Sequence, residues 1–327
     1  MLAGIIAGVT WALETIIISM AMCMGPLNLT TAQGILVGTL AATFLHDACS
    51  AIWALIYNGI RGKLPNVWRA FKTKSGKFVV LAATIGGPVG MTGYLLTVNN
   101  LGASIGAVAS AIFPAIGTVL AYIFLKEKMK WHQWIFLILT LLGVYGLSYS
   151  PEINIENYLL GVIGALMCAF GWGIEAVILA KSLTDPEVTD EYALQIRQTT
   201  SALVYGVVIL PIFSFFGITE VKGWSLVVEV FAGNNGWLIP TIVIAAFFAT
   251  VSYLFYYKAI SQIGASKSMA LNVTYTAWAH ILCLILSVFG IVDKPILTPL
   301  IITCTLVVLI CGIFAAADFK TIFKKEE

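Results

Sequence analysis

Charge is what this chain has least of. Among 327 residues there are 18 Lys or Arg and 16 Asp or Glu, 10% in all, against roughly 25% in a soluble domain. So few charges cannot hold a globule of this size in water. The formal net charge is +2, and no basic stripe is present, which removes nucleic acid from the expected partners. Cys23, Cys49, Cys168, Cys283, Cys304 and Cys311 lie in or at the ends of apolar runs and have no CxxC spacing. Neither a redox motif nor a metal site is therefore expected. Walker A and GxGxxG signatures are missing, and the loops are too short to hold an ATPase. No cofactor is expected. No Lys or Arg precedes the apolar stretch Met1–Met24, so it does not read as a signal peptide.

What fills the chain instead is apolar sequence: 60% of residues are hydrophobic and the mean hydropathy is +0.96. The apolar runs are long and rich in Ala, Leu, Ile and Gly, unlike the alternating segments of about ten residues in a transmembrane barrel. A helix needs about 20 apolar residues to cross a bilayer. Ten such spans fit, at roughly 2–24, 31–59, 78–98, 102–124, 132–149, 158–181, 191–216, 237–259, 266–290 and 296–316. Gly25-Pro26 ends the first, Leu101-Gly102 makes a tight turn, and Ser150-Pro151 ends the fifth. Arg61, Lys63, Arg69, Lys72, Lys74, Lys77, Lys126, Lys128, Lys130, Lys181 and Lys258 fall on one side with the tail lysines Lys320, Lys324 and Lys325. The other side has only Lys222 and Lys294. Positive residues stay inside, so both termini are expected in the cytoplasm of a bacterial plasma membrane. Phe71–Lys77 reads as an ordinary basic loop, with membrane lipids as the surrounding partner.

Two stretches repeat. Trp11-Ala12-Leu13-Glu14 matches Trp172-Gly173-Ile174-Glu175 at an offset of 161, and Leu101-Gly102-Ala103-Ser104 matches Ile263-Gly264-Ala265-Ser266 at 162. Two units of five helices follow, 1–156 and 157–327. Five is odd, so the second unit enters the membrane from the opposite side. The expected fold is an all-α membrane protein of ten helices in two inverted five-helix repeats. Such repeats underlie alternating access, with a substrate site near mid-membrane between the halves.

Ionisable groups inside spans cost several kcal/mol unless they face protein or water, and so mark sites. Glu14, Glu175, His46, Asp47, Arg197 and His280 qualify. Three acids against one permanent base suit a cation, and Arg197 is placed to neutralise Asp47 or Glu175. Trp11 and Glu14 share a helix face, as do Trp172 and Glu175. Aromatic faces attract cations and form cages for quaternary ammonium groups. Trp11, Glu14, Trp172, Glu175, Tyr94, Tyr275 and Trp278 are thus the candidate substrate residues, with Phe113, Tyr253, Tyr256 and Tyr257 as further walls. His46, Asp47, Arg197 and His280 form a candidate proton or charge network. His46 and Asp47 are adjacent, so their side chains project about 100° apart. No nucleophile completes a site with them, and an enzyme is not expected.

Leu101–Lys130, LGASIGAVASAIFPAIGTVLAYIFLKEKMK, resembles the fourth helix of the drug/metabolite transporter superfamily in its ten-helix EamA-type branch. The Gly-rich first helix with Trp11 and its counterpart with Trp172 fit as well. The resemblance implies two inverted repeats, a central cavity and transport of small metabolites. The acid-plus-aromatic pairs also resemble the choline-uptake members. Thr276 stands where Pro114 would repeat, and Phe289 where Glu127 would. The expected function is secondary transport of a small organic cation, a choline-like quaternary amine, either proton-coupled or uniport. Export of neutral or aromatic amino acids is the alternative. Monomer and homodimer both stay open.

Overall fold

In the computed structural model, which describes residues 1–149, 155–215, 221–233 and 235–318, the long apolar runs are helices. In chain order these are α1 (Leu2–Met22), α2 (Ala32–Ile60), the short α3 (Leu64–Lys72), α4 (Lys74–Leu101), α5 (Ser104–Leu125) and α6 (Trp131–Leu147). They continue with α7 (Tyr158–Ser182), α8 (Asp190–Phe215), the short α9 (Gly223–Ala232), α10 (Leu238–Ile263), α11 (Ala265–Val288) and α12 (Pro299–Ala316). Among the described residues, nine of these are long and apolar enough to cross a membrane. The helix α6 stands where the fifth span is expected. Its 17 residues reach only about 25 Å at ~1.5 Å per residue. It lies along α12, with Gly143 and Gly146 set against Val308 and Cys304. Ser150-Pro151 and Lys320, Lys324 and Lys325 lie outside the described residues.

The helix starts are chemically marked. Thr31, Asn157 and Thr298 accept hydrogen bonds from the backbone N–H groups of Gly34, Leu160 and Ile301 at 3.1, 3.0 and 3.2 Å, satisfying donors that a first turn leaves free. Two elements differ from the sequence expectation. The basic stretch around Phe71–Lys77 is not a loop. It forms the end of α3 and the start of α4, joined at Thr73, whose hydroxyl accepts from Gly76 N–H at 2.9 Å. Pro65 in the first turn and Arg69 and Lys72 in the last suit a helix. Trp68 and Phe71 stack at 5.5 Å on its exposed side. The second difference is α9, whose ten residues are too few to read as a span.

The repeat spacing has a backbone counterpart. Gly102 and Gly264, 162 residues apart, both begin a helix at positive φ, +90° and +85°, where a Cβ would be strained. Beyond each, the helix breaks at a matching place. The break in α5 falls at Ile112, just before Pro114, and that in α11 at Val273–Thr274. No proline breaks α11. Instead the Thr274 hydroxyl donates to the Leu271 carbonyl at 2.6 Å and Thr276 to Val273 at 3.1 Å, giving the backbone oxygens partners outside the helical ladder.

The halves of the chain also interlock. Helix α1 packs chiefly on α10 and α11, while α7 packs on α4 and α5. The Ser252 hydroxyl donates to the Ala7 carbonyl at 2.8 Å across 245 residues of sequence.

At the basic end of the bundle, polar contacts join the halves. Lys126 adopts a left-handed φ of 58°, turning the Glu127 carboxylate onto the start of α11. It accepts from Ala265 N–H, Ser266 N–H and Ser266 Oγ at 2.9, 3.0 and 2.8 Å. Nearby, Glu191 at the start of α8 pairs with Arg61 and Lys63 and accepts from the Tyr57 hydroxyl. An anion at a helix N-terminus and its capping bonds together contribute about 1–2 kcal/mol. Glu127→Ala is therefore expected to lower the thermal unfolding midpoint by a few degrees in a melt of the purified protein.

Candidate functional site

One face of α1 sets the wall of a central cavity of about 300 Å³. Trp11, Glu14, Ile18 and Met22 recur at helical spacing along it, and Thr39, Thr43, His46 and Asp47 answer from α2. The wall reaches Met22, the last residue of α1, so the cavity extends toward the end of the bundle opposite the Glu127 and Glu191 contacts. Tyr94, Phe113, Trp172, Tyr253, Tyr256 and Tyr275 supply the aromatic surface.

The rings form two related groups. Trp11 meets Tyr275 at 5.9 Å and Tyr253 at 5.1 Å between ring centres. Trp172 meets Phe113 at 5.8 Å and Tyr94 at 6.1 Å. These are ordinary spacings for favourable aromatic pairs. The indole N–H of Trp172 donates to the Gly86 carbonyl at 2.9 Å, which fixes its ring. Residues on this wall recur at offsets of 161 or 162, among them Trp11 and Trp172, Thr43 and Tyr205, Gly87 and Ala249, Met91 and Tyr253, Tyr94 and Tyr256, and Phe113 and Tyr275.

The charged groups form a continuous chain. Glu14 Oε1 lies 3.2 Å from His46 Nε2, and His46 Nδ1 lies 3.0 Å from Asp47 Oδ1. The other Asp47 oxygen accepts from the Ser201 hydroxyl at 2.6 Å and stands 3.6 Å from Arg197 Nη1. Arg197 Nε donates to Glu175 Oε1 at 3.2 Å, and its Nη1 to Gln198 Oε1 at 2.7 Å. Gln198 donates onward to the Ser50 hydroxyl at 2.7 Å, which meets Thr250 at 2.8 Å. The guanidinium also sits 4.3 Å from the centre of the Tyr253 ring, within cation–π range. Arg197 and Asp47 are nearly sealed, with side-chain exposures of 4% and 6%. Charges so buried persist only when paired and hydrogen-bonded.

This geometry divides the sequence candidates. Trp11, Glu14, Tyr94, Trp172, Tyr275, His46, Asp47 and Arg197 all border the cavity. Glu175 does not. It lies buried behind the wall on Arg197, so the two Trp–Glu faces do not meet as equals: both indoles reach the space, but only Glu14 brings its carboxylate there. A Cβ added to Gly86 would overlap the Glu175 carboxylate, so that glycine gives the acid its seat. Trp278 is also off the wall, beside Gly8 of α1. The His280 ring bonds the Thr276 carbonyl of its own helix at 2.9 Å. Tyr257 is fully buried rather than facing the space.

Sequence reasoning passed over Ser201, Gln198, Ser50 and Asn272. Small hydroxyls and amides within apolar helices carry no charge signal, and only Asn272, between Leu271 and Val273, stands out as a lone amide. Among the described residues, no group of three or more His, Cys, Asp or Glu is arranged to hold a metal ion.

With Arg197 committed to Asp47 and Glu175, Glu14 is the carboxylate left facing the cavity, beside His46 and the Thr15 hydroxyl, which donates to its Oε2 at 3.4 Å. Chemically the arrangement offers a carboxylate inside an aromatic enclosure, next to an imidazole.

Comparison with known proteins points in one direction. The profile of the EamA-like transporter family matches residues 1–149. Protein LicB of Haemophilus influenzae is 30% identical over 283 residues, covering 85% of this chain and 86% of that one. The S-adenosylmethionine uptake transporter of Rickettsia felis is 25% identical over 181 residues, 54% of this chain and 58% of that protein. A solved crystal structure with 15% identity superposes with a TM-score of 0.62, over 96% of this chain and 95% of the other. At that identity the likeness concerns the fold alone.

Proposed function

Because the chain belongs to the EamA-like transporter family of the drug/metabolite transporter superfamily, we propose that it carries a small organic cation, a choline-like quaternary amine, across the membrane. It is a multi-pass membrane protein of the kind found in the bacterial cytoplasmic membrane, a transporter of a small organic molecule and not an enzyme.

The observation that carries the cation reading is Glu14. It presents a carboxylate to a cavity walled by Trp11, Tyr94, Trp172, Tyr253 and Tyr275, while the nearby base, Arg197, is already taken by two acids. Quaternary ammonium methyl groups offer no conventional hydrogen-bond donors, so aromatic faces and one negative charge are what recognise them. Ligand pockets range over ~300–1,000 Å³, and about 300 Å³ here suits a small headgroup. The relative named for S-adenosylmethionine uptake handles a sulfonium, another onium cation surrounded by alkyl groups.

The mechanism proposed is alternating access by two inverted five-helix repeats, 1–156 and 157–327, with α6 as the fifth helix and both termini in the cytoplasm. Support comes from the paired wall positions at offsets of 161 and 162, from the matching turns at Gly102 and Gly264, and from the placement of basic residues. In that orientation the cavity extends toward the outside, and the Glu127 and Glu191 contacts close the cytoplasmic end. Glu14 and His46 form the site at which a proton would couple to uptake.

Isothermal titration of purified protein with choline, ethanolamine, S-adenosylmethionine and aromatic amino acids tests this reading. Choline is expected to bind, and Trp11→Leu and Trp172→Leu are each expected to weaken choline by about tenfold while changing ethanolamine less, since a cation–π contact is worth ~1–2 kcal/mol when desolvated. Saturable binding of an aromatic amino acid without competition by choline would overturn it.

A further inference from the structure

The acidic, aromatic side of the cavity accounts for a cation but not for the amide of Asn272 on its wall. Asn272 ends the first segment of α11, just before the break at Val273–Thr274. It borders the cavity and is 4% exposed. Its Oδ1 is buried with no hydrogen-bond partner. A buried amide is normally satisfied, and an unpartnered one is costly enough to need a reason.

The other half of the chain provides a control. The residue 162 positions earlier is Ser110 in α5, and its hydroxyl donates to the Ala107 carbonyl at 2.7 Å. The first half therefore fills this place with a self-satisfied group, and the second half with a bare amide. Fold-keeping does not account for the difference, because the break in α11 is held by the hydroxyls of Thr274 and Thr276 rather than by Asn272. Three residues further along the chain, Tyr275 lies on the same wall and meets Trp11.

We infer that Asn272 is a second recognition point, which hydrogen-bonds a hydroxyl on the cationic substrate, so that the cargo class is a hydroxyalkyl quaternary amine rather than any tetraalkylammonium. The inference rests on the cation reading above and adds the polar end of the ligand to it. A hydroxyl is the matching group because it both donates and accepts. Rotating the amide exchanges its oxygen for its NH₂, and a hydroxyl pairs with whichever end meets the cavity. A carboxylate in the same place would accept only, and would add a negative charge to a cavity already bearing Glu14. Sites that hydrogen-bond a substrate hydroxyl reject analogues lacking it, since the protein group is then left unpaired.

The test compares choline with ethyltrimethylammonium, which keeps the cationic head and replaces the hydroxyl with hydrogen. Both are titrated calorimetrically into the full-length wild type and into Asn272→Leu, with Asn272→Ser as a smaller polar variant should the leucine protein fail to fold. Wild type is expected to prefer choline by about 5- to 10-fold, the net worth of one neutral hydrogen bond. Asn272→Leu is expected to bind the two amines equally, with ethyltrimethylammonium no weaker than in wild type. Asn272→Ser is expected to keep part of the preference. Equal binding of both amines by wild type, or an undiminished preference in Asn272→Leu, would overturn the subsite and leave the cation reading standing. Binding of neither amine by wild type would overturn both.

Discussion

Arg197→Met is expected to be the most damaging single substitution in the protein, costing about 3–5 kcal/mol of stability, the range for removing one partner of a buried ion pair. The guanidinium stands between Asp47 and Glu175, donates to Gln198, and lies over the Tyr253 ring. Its loss leaves Glu175 without a compensating charge, Asp47 with only His46 and Ser201, and the Gln198 acceptor without its donor. Thermal unfolding of the detergent-purified protein should show a large fall in midpoint. Adding Glu175→Gln to Arg197→Met should recover part of it, because the double variant buries one charge fewer. An unchanged midpoint in Arg197→Met would show that the acids are not held by this residue. Glu175→Gln alone should likewise act on stability rather than on ligand affinity, because Glu175 lies behind the wall.

The second large effect is expected at Glu14, and it should divide the opposite way. Glu14→Gln keeps the shape of the side chain and removes the negative charge that faces the cavity. A unit charge ~5 Å from a cation at an effective dielectric constant near 20 contributes about 3 kcal/mol, so choline affinity should fall by about two orders of magnitude in a calorimetric titration. Stability should change little. His46 keeps its contact with Asp47 at 3.0 Å, and the Arg197 pairs are untouched. A Glu14→Gln protein that binds choline as wild type does would remove Glu14 from the site. One that simply unfolds would place the residue with Arg197 among the structural groups. The two carboxylates, each three residues after a tryptophan, are thus expected to separate into a binding role and a packing role.

That separation marks where the sequence stops being informative. The membrane spans are legible because runs of about 20 apolar residues are what a bilayer crossing requires, and the matching stretches are legible because Trp11 and Trp172 are each followed three residues on by a glutamate. The role of Glu175 is not. Spacing of three residues fixes the helix face it shares with Trp172, but not that Arg197 reaches in from α8 to cover it. Helix α3 was hidden because basic residues alternate with Trp68 and Phe71 over nine positions, a pattern shared with interfacial loops. The break in α11 was hidden because threonine hydroxyls stand where the first half uses Pro114. Thr276 looked like the loss of a feature, yet the backbone keeps it. Asn272 carries no charge and belongs to no motif, so only its missing partner in three dimensions draws attention to it.

The interlocking of α1 with α10 and α11 bears on how the molecule is made. Ribosomes add about 5–20 residues per second, so the 245 residues separating Ala7 from Ser252 take roughly 10–50 s to synthesise at those rates. Throughout that interval the earliest helix sits in lipid without its final neighbours, although α2 has already been inserted beside it. The amino-terminal half is consequently unable to mature on its own. Its opening helix waits for the closing third of the polypeptide, and a nascent chain cut short before α10 would leave Trp11 without the Tyr253 and Tyr275 rings it packs on.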